Sequence, residues 1–314
     1  MVPSSDPIYS REPFFEGFDT QSAFDFYEAS RHRLPAASYP EQARHASGLV
    51  EMAEHCDVFC FDAFGVLNVG GTPIPGAVDT VKALRGLGKQ LFVITNAATL
   101  PKAQAVAKFE RLGFDFSTDE IVTSRMAAEE ALAAHPDHLW GVMARSDFKP
   151  DDVPVRSILL THDIATYDAA DAFLFLSTWE WTSEQTRLLE VSLAQNMRPI
   201  MVANPDVIAP LEEAFSTESG FVAHRIADLL GVRIEFHGKP FPSVFDLVQR
   251  VLPAEQNRRR ICMIGDTLHT DVLGGAQAGW STVLVADHGL FRGHDPAQFI
   301  NESGIVPNWI VPSI

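Results

Sequence analysis

The 314-residue sequence predicts an α/β protein, a doubly wound parallel-sheet (Rossmann-like) core carrying an inserted α/β domain. Three observations carry this. Short apolar runs alternate with helical patterns along most of the chain, which implies a mostly parallel sheet covered by helices. The runs at 57–62, 90–95, 260–265 and 281–286 are continuous, as strands buried on both faces require. Three of them end on a polar residue, Asp62, Thr95 and Asp266, which sets those side chains on the rim where open α/β sheets bind ligands.

The elements follow in order. Residues 1–40 hold Phe14, Phe15, Phe18, Phe24, Phe26 and Tyr27 without a clean period; they form an N-terminal extension packed on the body, with a helix near Thr20–Arg33. Residues 41–55 have a helical pattern, and the strand at 57–62 comes next. A helix over 75–88, a strand at 90–95, a helix over 100–112 and a further run over 119–134 succeed it. Strands lie near 139–144, 171–176 and 198–203. The last part repeats the theme with a strand at 232–237, a helix over 242–252, a strand at 260–265, a helix over 270–278 and a strand at 281–286. Residues 41–97 and 234–314 are thus the core domain, and 98–233 an inserted cap, far too long for a loop.

A hydrophobic share of 46% with 21% charged residues fits a folded globular protein and excludes a disordered or fibrous one. The net charge of −17 argues against a nucleic acid or an anionic membrane as partner, both of which need clustered Lys and Arg. The one basic run, Arg258–Arg260, is expected in a solvated loop. No apolar run approaches the roughly 20 residues that span a bilayer, and the N-terminus lacks the features of a signal peptide. Cys56, Cys60 and Cys262 are expected as small buried hydrophobes in a reducing compartment, with the cytoplasm as the setting.

Four local patterns stand out together: Phe61-Asp62-Ala63-Phe64-Gly65-Val66-Leu67, Val93-Ile94-Thr95-Asn96, His237-Gly238-Lys239-Pro240, and Ile264-Gly265-Asp266 running on through His269 to Asp271. In order and spacing they resemble the four signature motifs of the haloacid dehalogenase-like hydrolase superfamily. The flanks Pro73-Ile74-Pro75-Gly76-Ala77, Asn204-Pro205-Asp206 and Trp309-Ile310-Val311-Pro312-Ser313 resemble its class IIA branch, whose cap lies between the second and third motifs. The resemblance covers roughly residues 55–314.

That resemblance implies a mechanism. Asp62 would be a nucleophile forming a covalent aspartyl intermediate. Thr95 and Asn96 would donate hydrogen bonds to the transferring group, and Lys239 would neutralise its charge and orient the nucleophile. Asp62, Asp266 and the backbone carbonyl of Phe64 would bind Mg²⁺, which favours oxygen ligands. Asp271 would support the metal site or Lys239 from outside. The substrate would be a small phosphorylated metabolite, such as a sugar phosphate, a nucleoside monophosphate or pyridoxal phosphate. Class IIA relatives also imply a homodimer pairing through the cap.

One position departs from the pattern. Phosphatases of the superfamily carry a second Asp two residues after the nucleophile, to protonate the leaving oxygen and activate water; Phe64 can do neither. Two alternatives to phosphatase chemistry follow: a dehalogenase-like hydrolase acting at carbon, or a catalytically weak phosphate-binding or regulatory protein. Phosphonate hydrolysis would need a cap lysine forming a Schiff base, and nothing marks Lys102, Lys108 or Lys149 for it. Within the cap, Trp179 and Trp181 are candidates for a substrate pocket or for packing, and Glu180, Asp163 and Asp168 for a replacement proton donor. No motif role demands His237, His269 or His288.

Overall fold

The computed structural model describes residues 17–211 and 214–314; Phe14 and Phe15 of the expected extension lie outside them. Two parallel sheets organise the chain. In the first, Val58–Phe61 lies between Ile261–Gly265 and Gln90–Thr95. Ile121–Thr123 continues the sheet beyond Gln90–Thr95, and Ser281–Val285, Trp309–Val311 and Arg44–His45 continue it on the other side. All six pairings are parallel. The winding direction reverses between Val58–Phe61 and Ile261–Gly265, so the ends of these two strands flank the crevice where such sheets bind ligands. Every residue of both strands is buried, which explains their uninterrupted apolar sequence.

The second sheet has the order Ile234–Phe236, Ile200–Val202, Ala172–Phe175, Trp140–Met143, Ser157–Leu159, again all parallel. Its membership differs at two strands from what the expected limits of 98 and 233 would give. Ile121–Thr123 hydrogen-bonds to Gln90–Thr95 in the first sheet, whereas Ile234–Phe236 pairs with Ile200–Val202 in the second. The second sheet's strands therefore run from Trp140 to Phe236. Strand pairing is something a linear pattern does not record.

Three further expectations change. Residues 41–55 are not one helix: Arg44–His45 joins the edge of the first sheet, and only a single 3₁₀ turn, Glu51–Glu54, forms. Ser47 tightens that turn by donating its N–H and hydroxyl to Glu51 at 2.8 and 2.7 Å. The helix expected over 270–278 opens earlier, with a wide π turn at Leu268–Val272 that leads into Leu273–Gln277. Cys56 and Cys262 are not separate buried thiols; they form a disulfide, because the pairing of Val58 with Ile261 brings their Cα atoms to 6.2 Å. Among the described residues Cys60 is the free, buried cysteine. Arg260 of the basic run is held by Asp57 through two bonds of 2.5 and 2.6 Å.

The N-terminal helix Thr20–Ala29 starts at a capping box in which Asp19 accepts from the Ser22 N–H at 2.8 Å. It packs against both sheets' domains. Toward the first, Phe24 lies 5.0 Å from Phe299, and Thr20 donates to the Leu290 carbonyl at 2.9 Å. Toward the second, Phe26 lies 4.9 Å from Phe221, Tyr27 accepts at its hydroxyl from the Val207 N–H at 3.0 Å, and Arg33 pairs with Asp228. Burying apolar rings on two sides of a ten-residue helix is what fixes so short an element in place. Phe24→Ala empties a fully buried site and is expected to cost about 3–5 kcal/mol in urea unfolding. A change within the roughly 0.5 kcal/mol of a surface substitution would show that the helix does not dock.

Candidate active site

The strand Val58–Phe61 delivers Asp62 to the rim, where its N–H donates to the Ile264 carbonyl at 2.8 Å. The chain then turns sharply at Gly65, whose N–H donates to Asn68 at 2.8 Å. Gly65 has φ +79, and a Cβ there would stand 2.6 Å from Asp266 Oδ2; the turn needs glycine both for its backbone and for the approach of the two motifs. From the neighbouring strand Ile261–Gly265 comes Asp266, whose Oδ2 accepts from the Leu290 N–H at 2.8 Å and Oδ1 from the Thr267 hydroxyl at 3.2 Å.

Lys239 bridges the acids. Its Nζ lies 2.5 Å from Asp62 Oδ1 and 2.8 Å from Asp271 Oδ1, and its side chain is fully buried. The other Asp271 oxygen accepts from the Thr267 N–H at 3.1 Å, so both of its oxygens are engaged. Asn96 fixes the Lys239 backbone from two sides: its Oδ1 accepts from the Lys239 N–H at 2.7 Å and its Nδ2 donates to the Lys239 carbonyl at 2.9 Å. Its second Nδ2 hydrogen goes to Asp206 at 2.8 Å. The close clamp requires Gly238, with φ +115, since a Cβ there would lie 2.5 Å from Asn96 Oδ1. Thr95 Oγ1 accepts from the Ala97 N–H at 3.1 Å, which leaves its hydroxyl proton to donate.

Burial sets the charge balance. It pushes Asp62 up to about 6 against the pull of Lys239, and raises Asp266 well above the carboxylate range with help from Asp271 and Asp62. Asp206 is raised in the same way by burial. Burial works against the Lys239 ammonium too, yet Asp271, Asp62 and Asp206 hold its pKa above the ordinary lysine value. One buried cation thus faces an excess of carboxylates. Oxygens of Asp62, Asp266 and Asp271 lie within 4.8 Å of one another, a set of hard donors with surplus negative charge that suits a divalent cation.

A cavity of about 850 Å³ opens above this centre, with Asp62, Thr95 and Asp266 at its base. Asn96 and Lys239 stand behind that surface rather than in it. Trp179 and Trp181 both line the cavity, the first exposed and the second buried. Glu180 lines it as well, but the Ser146 N–H holds its carboxyl below the usual range, which suits it poorly as a proton donor. Asp163 caps the helix Ile164–Asp168, and Asp168 accepts from Ser192 at 2.6 Å. His237 contacts Ser243 and Glu235, His288 contacts Ser313, and His269 contacts Glu28 of the N-terminal helix.

Three residues gain a place that the sequence alone did not give them. Asp206 lines the cavity and anchors Asn96; the signal was present in Asn204-Pro205-Asp206, there only a supporting flank. Tyr27 lines the cavity from the N-terminal helix while its ring stacks on His269 at 5.1 Å, and no local pattern announces it. Lys108, on the helix Lys102–Arg111, places its Nζ 4.1 Å from the centre of the Phe64 ring; burial pulls its pKa down to about 8.

Comparison with known proteins agrees with this arrangement. The haloacid dehalogenase-like hydrolase family matches residues 59–151, and a HAD-hydrolase-like family matches residues 236–314. A 4-nitrophenylphosphatase of Schizosaccharomyces pombe is 23% identical over 84% of this chain and 94% of its own length. The human glycerol-3-phosphate phosphatase is 26% identical over 82% and 88%. The crystal structure of a possible sugar phosphatase from Cytophaga hutchinsonii superposes with a TM-score of 0.76 at 28% identity, covering 86% of this chain and 98% of that one. With both halves of the first sheet matched and the cluster around Asp62 assembled between them, the chain belongs to the haloacid dehalogenase-like hydrolases, among relatives of their class IIA branch.

Proposed function

We propose that this protein hydrolyses the phosphoric monoester of a small metabolite in a magnesium-dependent reaction that passes through an aspartyl-phosphate on Asp62. The observation that carries the reading is the Lys239 ammonium, 2.5 Å from Asp62 and 2.8 Å from Asp271, just behind the base of a cavity large enough for a metabolite. The named activities of relatives, on 4-nitrophenyl phosphate and glycerol 3-phosphate, support the same class.

In this reading a carboxylate oxygen of Asp62 attacks phosphorus while Lys239 keeps that carboxylate ionised and oriented. Thr95 donates its hydroxyl to a phosphoryl oxygen. Asn96 acts through Lys239, holding its backbone rather than touching the substrate with its side-chain amide. Asp271 keeps Lys239 in position. Asp62, Asp266 and the Phe64 carbonyl would hold Mg²⁺, which when bound supplies charge neutralisation for the phosphoryl oxygens. Phosphoryl transfer needs chiefly such positioning and charge stabilisation. The acidic cluster disfavours a dehalogenase acting at carbon, since halide displacement has no use for a cation site. Pairing of two copies through the cap belongs to the same reading.

Magnesium at about a hundredfold excess over its dissociation constant is expected to add about 2.7 kcal/mol of stability, measured as a rise in Tm. Asp266→Asn should lose that increment; a folded variant that keeps it would move the metal elsewhere. Phosphate release from 4-nitrophenyl phosphate is expected only with magnesium, and Asp62→Asn should abolish it. Halide release from a 2-haloacid without metal would install the dehalogenase in its place. Thermal stabilisation by magnesium and phosphate without turnover on any ester would install the binding protein.

A further inference from the structure

The cations in the cavity wall and just behind it are unequally committed. Lys239 is held by Asp62 and Asp271, and Arg145, which lines the cavity, pairs with Asp147 at 2.9 Å. Lys108 lines the same cavity, and among the described residues its ammonium makes no ion pair or hydrogen bond. Its place is not accidental to the helix: Ala105, Lys108 and Phe109 share one face at i, i+3 and i+4, and all three line the cavity. Two aromatic rings hold the ammonium, Phe64 at 4.1 Å and Phe109 at 5.7 Å.

A ring holds an ammonium without cancelling its charge. A carboxylate at residue 64, at 4 Å or so, would form an ion pair with Lys108 and return the local charge to zero. Phe64 keeps the cation in place and leaves its full charge facing the cavity. Asp62, the nucleophile of this reading, lines the same cavity and acts on that charge electrostatically. An ester bound for attack by Asp62 extends its organic group away from the carboxylate and into the cavity, where Lys108 stands.

We propose that Lys108 is a catalytic residue that stabilises the charge on the leaving ester oxygen, in a site where Phe64 supplies no proton. This deepens the phosphatase reading and rests on it. In the step, an oxygen of Asp62 bonds to phosphorus as the bond from phosphorus to the ester oxygen breaks. The electron pair stays on that oxygen, which takes its proton from water as the alcohol departs. The hydroxide left from that water then bonds to phosphorus as the bond from phosphorus to Asp62 breaks, so that one ester and one water give one alcohol and one phosphate. The Lys108 charge meets the oxyanion while it exists.

The test is a leaving-group series: 4-nitrophenyl phosphate, phenyl phosphate and an alkyl phosphate, assayed with magnesium on wild type, Lys108→Met and Lys108→Arg. A basic alkoxide needs the charge most. Lys108→Met is therefore expected to lose about 10² or more in kcat on the alkyl ester, with a markedly smaller loss on 4-nitrophenyl phosphate. Lys108→Arg should restore most of the alkyl activity. An equal loss across the series, with wild type active and Lys108→Met showing the wild-type Tm and magnesium response, would overturn the role of Lys108 and leave the phosphatase standing. Absence of turnover by wild type on every ester would overturn both.

Discussion

A buried ammonium between two carboxylates is the constraint on which this active centre depends. Lys239 is fully buried, so its charge is tolerable only with partners in place, and Asp62 and Asp271 are those partners. Meeting both acids at once fixes how three chain segments approach. The strand end at Asp62, the turn at Gly238 and the π turn at Leu268–Val272 must converge on one point. Asn96 enforces the convergence from the strand Gln90–Thr95 by holding the backbone on both sides of Lys239. The four motifs are thus one mechanical unit, and their glycines are the places where side chains would keep the segments apart.

The charge balance of that unit also sets what it can bind. Burial raises Asp266 and Asp206 far from their ordinary range, because Lys239 cannot serve every carboxylate around it. A divalent cation held there would relieve the surplus, so that a phosphoryl group would meet a centre less anionic than the carboxylates alone make it. Phe64 belongs to the same balance. It adds no further carboxylate to a crowded site, and its ring carries a lysine that faces the cavity.

How far the sequence goes follows from which forces it records. Asp62, Thr95 and Asp266 are legible on one rim because continuous apolar runs betray strands buried on both faces, and their ends must align. Lys239 and Asp271 are legible through motif order rather than through periodicity. Lys108 and Tyr27 are not, since their importance comes from helices that carry them over a distant turn or loop. The disulfide escapes for a similar reason: parallel neighbours are chosen by the whole sheet, and Cys56 meets Cys262 only because Val58–Phe61 takes Ile261–Gly265 as its partner.

The N-terminal helix gives the two domains a connection beyond the peptide crossings themselves. Phe24 is seated against Phe299 on one side and Phe26 against Phe221 on the other, two residues apart on a single rigid rod. A swing of one domain away from the other would have to pull one ring out of its socket, or carry the rod along and strain the opposite seat. Two hinges and a brace resist rotation where two hinges alone permit it. Tyr27 sits on the same rod, so the brace that ties the domains also fixes part of the wall of the cavity that Trp179 and Trp181 line.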